Sequence, residues 1–111
     1  MLIITLCIFI IAALLGLWLL SYVIQNKNTP KGLAFIHGPI AALGIILLLI
    51  YAILYSPRPS LSLAFLVLAA LGGFLMMFKD LTNGLPPKWL ALGHGLLALI
   101  GVVLLVLFLA L

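Results

Sequence analysis

Four long apolar runs, Leu2–Ile24, Leu33–Tyr55, Leu61–Phe78 and Trp89–Leu111, take up most of this chain. Each reaches the roughly 18–25 residues that a helix needs to cross about 30 Å of hydrocarbon. With 68% of its 111 residues hydrophobic and 5% charged, the chain lacks the polar surface to cover a water-soluble fold. It is expected to be an integral membrane protein, and the short connections leave no room for a separate soluble domain. The first run has no basic segment before it, exceeds the apolar core of about 7–15 residues usual in a signal peptide, and has no small-x-small cleavage site before Gln25. It reads as a retained helix.

The few charges orient the chain. Lys27, Lys31, Lys79 and Lys88 fall in the first and third connections, whereas the second carries only Arg58. By the positive-inside rule the first and third connections face the cytoplasm and both termini face outward, as in a protein of the bacterial inner membrane. A net charge of +4 is too sparse for a nucleic-acid surface, although the same lysines suit anionic lipid head groups. The single cysteine, Cys7, excludes an intrachain disulfide and reads as a small packing residue.

Sliding the chain along itself by 57 positions aligns Lys31 to Gly44 with Lys88 to Gly101, and seven of the fourteen pairs are identical. Matches of Leu, Ala and Gly come cheaply in such a composition. The two histidines do not, and both fall in register as His37-Gly38 and His94-Gly95. Asn26 with Asn83 and Pro30 with Pro87 extend the match upstream. The chain therefore reads as one transmembrane domain, residues 1–111, built from two helical-hairpin repeats of about 1–57 and about 58–111. Each hairpin returns to its starting side, so the two copies have parallel topology.

The fold class expected is all-α: a four-transmembrane-helix up-down bundle of two parallel hairpins, with helices 2 and 4 as diagonal partners. Lys31 and Lys88 mark the starts of those helices. Six residues at 1.5 Å each put both histidines about 9 Å further in, at one depth inside the hydrocarbon. Neighbouring axes about 8–10 Å apart imply a diagonal of roughly 12–14 Å. That gap is too wide for a direct bond between imidazoles pointing at the axis, and suits two imidazoles with a metal between them.

The helical face through each histidine repeats the same order of sizes: His37, Ala41, Gly44, Leu48, Tyr51 in one copy and His94, Ala98, Gly101, Leu105, Phe108 in the other. Small residues ordinarily let membrane helices pack closely. Beside a histidine, with Ala12, Ala13, Gly16, Ala69, Ala70, Gly72 and Gly73 at a similar depth on helices 1 and 3, they also describe a slot for a flat macrocycle. The slot is expected on the cytoplasmic side, with Leu48, Leu105, Tyr51 and Phe108 filling the outer half.

A polar ring in hydrocarbon without a partner costs roughly 2–7 kcal/mol on transfer scales, so each imidazole needs one. A backbone carbonyl or a lipid head group would serve; so would a metal. Zinc wants three or more protein ligands, and the chain adds only Asp80 and Cys7 to its histidines. Copper meets the same shortage. Haem iron takes only two axial ligands from the protein.

With His37 and His94 on facing helices and Gly38, Gly44, Gly95 and Gly101 beside them, the chain resembles the transmembrane four-helix b-type cytochromes with bis-histidine haem ligation. The resemblance covers helices 2 and 4 and extends to one histidine pair, hence one haem b per chain or one shared in a homodimer. It implies His37 and His94 as metal ligands, with Gly38, Gly95, Ala41, Ala98, Gly44 and Gly101 around the ring. Lys31, Lys88 and Lys27 would face the propionates. Met76 and Met77 are assigned to packing rather than axial ligation, and Trp89 to the interfacial aromatic belt.

The function this implies is electron transfer within the membrane, exchanging electrons with quinone or a respiratory partner, rather than a stand-alone enzyme. No acid–base pair, nucleophile constellation or phosphate loop is visible. Two other functions stay open: a haem or gas sensor or carrier in which one histidine lets go, and a cofactor-free small transporter or accessory subunit.

Overall fold

The computed structural model describes residues 1–82 and 84–111. Asn83, the sequence partner of Asn26, lies outside them. Four helices make up the chain: α1 (Leu2–Ile24), α2 (Lys31–Leu54), α3 (Ser60–Thr82) and α4 (Lys88–Ala110). Three of them match the apolar runs to within two residues at either end. The exception is α3, which continues past Phe78 through Lys79 and Asp80 to Thr82. Hydropathy marks where hydrocarbon ends, whereas backbone hydrogen bonding marks where a helix ends.

The turns have local causes. At the end of α1, Asn26 adopts a left-handed φ of 56°. The Lys27 N–H donates to the Tyr22 carbonyl and the Asn26 N–H to the Val23 carbonyl, at 2.9 and 3.1 Å. This pair of bonds closes a helix on a left-handed residue, a conformation that Asn tolerates better than most. Pro30 and Pro87 stand directly before α2 and α4, each with φ −63°. A proline at a helix start sacrifices no intrahelical hydrogen bond.

Each helix packs against its neighbours in sequence, and α1 closes on α4. No Cα pair within 8 Å joins α1 to α3 or α2 to α4 among the described residues, so these are the two diagonals of a four-helix bundle. All four helices are long and apolar enough to cross a membrane. The bundle measures 43 × 21 × 19 Å, its long axis equal to a bilayer of about 40–45 Å with head groups. Ile3, Leu14, Trp18, Phe74 and Trp89 are more than half exposed on its outside. Such a surface is consistent with an integral membrane protein.

The core is confined to one half of the bundle. Leu2, Phe9, Leu48, Leu66 and Leu105 are buried together, with Leu6, Ile45, Tyr51, Leu63, Val102 and Phe108 packed against them. All of these lie toward the end bearing Arg58, relative to the histidines and the residues level with them. At the opposite, lysine-bearing end, Val23, Pro86 and Ala91 are the buried apolar side chains among the described residues, and the leucines and methionines are half-buried or exposed. The Ser62 hydroxyl ties the packed half together by donating to the Gly101 carbonyl at 2.7 Å, from α3 to α4.

Candidate functional site

His37 and His94 come from diagonal helices and meet inside the bundle, with ring centroids 6.1 Å apart and ring planes at 83°. Each imidazole is anchored on a neighbouring helix. His37 Nδ1 lies 2.8 Å from the Ala12 carbonyl of α1, and His94 Nδ1 lies 2.6 Å from the Ala69 carbonyl of α3. A carbonyl oxygen only accepts, so both Nδ1 atoms donate and carry the proton. In the neutral ring this leaves the lone pair on Nε2.

Glycine makes these anchors accessible. Within a helix the carbonyl of residue i points at the N–H of residue i+4, and Gly16 and Gly73 stand four residues after Ala12 and Ala69. A Cβ on Gly16 would meet His37 Cε1 at 3.0 Å, and one on Gly73 would meet His94 Cε1 at 3.1 Å. Without those methyl groups the imidazole reaches the carbonyl's second lone pair. The contacts of the second set are those of the first displaced by 57 positions.

The stripe glycines are used differently. Gly44 receives the Phe9 ring, whose Cε1 would lie 2.7 Å from an added Cβ, and Gly101 receives Leu66, whose Cγ would lie at 2.6 Å. These positions belong to the packed core. An added Cβ at Gly38 or Gly95 would meet nothing within 4 Å, so both lie away from the neighbouring helices. Ala41 and Ala98 are half-buried.

Of the two lysines, Lys31 is engaged within the protein. Its Nζ lies 2.6 Å from Asp80 Oδ2, which also accepts from Thr29 Oγ1 at 2.7 Å. The Asp80 side chain is 7% exposed. Lys88 is exposed and makes no ion pair among the described residues.

The site offers two imidazoles whose Nδ1 atoms are held by carbonyls, which leaves each Nε2 without a protein partner among the described residues. An imidazole that donates Nδ1–H to a carbonyl and presents Nε2 has the outer-shell support typical of a metal-ligating histidine. No group of three or more His, Cys, Asp or Glu able to hold a metal ion occurs among the described residues. No member of the core cluster lies in the lysine-bearing half.

Sequence reasoning named Ala12 and Ala69 as small residues at the depth of the histidines and a backbone carbonyl as one partner for each ring, but it did not join the two; the structure does. The carbonyls of Ala12 and Ala69 carry no side-chain signature, although both precede their histidine by 25 residues. That common spacing, with glycine four residues after each alanine, is the signal available in the sequence. No family model, curated protein or solved structure matches the chain.

Proposed function

We propose that this chain is a membrane-spanning bundle of two parallel hairpin repeats that holds one haem b between His37 and His94 and passes single electrons within the bilayer. The observation that carries the reading is the pair of carbonyl-anchored imidazoles, 6.1 Å apart, with a free lone pair on each Nε2. Held by His37 and His94, a haem would supply one-electron iron chemistry, which suits electron transfer rather than oxygen activation. The chain's own contribution is orientation and exclusion of water. Ala12 and Ala69 hold the rings, Gly16 and Gly73 let them approach, and the packed half around Leu48 and Leu105 seals one side. In this reading the lysine-bearing end is cytoplasmic, and quinone or a respiratory partner exchanges the electrons.

The test is the absorption spectrum of the full chain purified in detergent after expression with ample haem, first oxidised and then reduced. A sharp Soret band with the reduced α and β bands of low-spin haem is the expected result, and absence of bound haem would sink the proposal. His37→Ala and His94→Ala are each expected to abolish the low-spin spectrum; a variant that keeps it removes that residue from the ligand pair.

A second reading, a cofactor-free accessory subunit or transporter, draws on the same carbonyl bonds, because they give each buried ring one partner without any metal. A protein with no haem and unchanged thermal stability on haem addition would favour it.

A further inference from the structure

We infer that Lys88 binds a carboxylate of the bound porphyrin, and that Lys31, its counterpart in the sequence repeat, does not. The inference rests on the haem reading and assigns the anion-binding group of that site. The two lysines occupy matching places: each is the first residue of its helix, follows a proline, and precedes the histidine by six residues, about 9 Å of helical rise.

Their surroundings differ. Lys31 already has its carboxylate, because Asp80 at the end of α3 accepts from it and from Thr29. The residues 57 positions away from Asp80 and Thr29 are Val23 and Pro86. Both are buried and neither side chain carries a hydrogen-bond acceptor, so these positions offer Lys88 no carboxylate. Asp80 is the only acidic side chain in the chain, so an oxyanion paired with Lys88 has to come from elsewhere.

Two sources share this chemistry, a propionate of a porphyrin and the phosphate of a lipid head group. The propionate is favoured by position. Lys88 lies on the helix that carries His94, at the end of the bundle that holds no member of the core cluster. An ammonium there pairs as a point charge and needs no fixed fork.

The experiment titrates haem b and haem b dimethyl ester, whose propionates are uncharged, into the apo full-length chain in a detergent of neutral head group. Wild type is expected to bind haem b about two- to fivefold more tightly than the ester, the range of a partly solvated pair. Lys88→Gln should abolish that preference by weakening haem b alone, and Lys31→Gln should retain it. Equal losses for both porphyrins in Lys88→Gln, or a preference that survives it, would overturn the assignment and leave the haem reading standing. A preference lost in Lys31→Gln alone would move the role to Lys31. Wild type that binds neither porphyrin overturns both.

Discussion

A methyl group distinguishes the glycines of this chain more sharply than their positions in sequence do. At Gly101 an added Cβ would lie 2.6 Å from Leu66 Cγ and 3.3 Å from the Leu66 backbone nitrogen. Leu66 is 4% exposed and sits in the core cluster, so neither its side chain nor its backbone has room to yield. Gly101→Ala is expected to destabilise the bundle by about 1–3 kcal/mol, the usual cost of overpacking. Gly38→Ala, which meets nothing, should stay within about 0.5 kcal/mol of wild type. Unfolding of both variants in mixed micelles decides; equal stabilities would refute the packing described for Gly101. Sequence alone reads both glycines as beside the histidine. Only Phe9 and Leu66, arriving from other helices, distinguish the glycines that are covered from those left open.

At the scale of the helices, the polar contacts between them are few and uneven. Ser62 ties α3 to α4, whereas Thr5, at the corresponding place on α1, donates to the Met1 carbonyl of its own helix. At the lysine-bearing end Asp80 joins the last turn of α3 to the start of α2 and to Thr29 in the connection before it. This clasp holds one hairpin to the other where apolar packing is thinnest. Asp80→Asn removes the charge from a side chain 7% exposed, leaving Lys31, 43% exposed, to water. The expected loss is about 1–2 kcal/mol, reduced because the lysine resolvates. In the double variant Asp80→Asn, Lys31→Gln the losses should be less than additive, as two groups sharing one interaction require. Strict additivity would mean that the pair does not contribute as a pair. The polar last turn of α3 is the one place where helix ends were poorly legible from hydropathy, since the stabilising partner of Asp80 lies 51 residues away at Thr29.

For the whole molecule, the proposed orientation rests on charge rather than on contacts. With lysines at one end and Arg58 alone at the other, reporter fusions after Leu111 and in the second connection should be active on the outer side. Fusions in the first and third connections should be active in the cytoplasm. The reverse pattern would overturn the proposed topology and the side from which Lys88 meets its ligand. Four apolar segments, their approximate limits and the equal depth of His37 and His94 were decided by the sequence, because a bilayer selects for length and hydropathy and a helix converts spacing into depth. The filling of the Arg58-bearing half by Leu48, Leu105, Tyr51 and Phe108 was legible too, from helical periodicity. Tertiary structure alone decided which nitrogen of each imidazole is free, which glycines are covered, and which lysine already has a carboxylate. Those outcomes depend on the atoms that neighbouring helices bring within 3 Å, and neither composition nor periodicity along one helix specifies them.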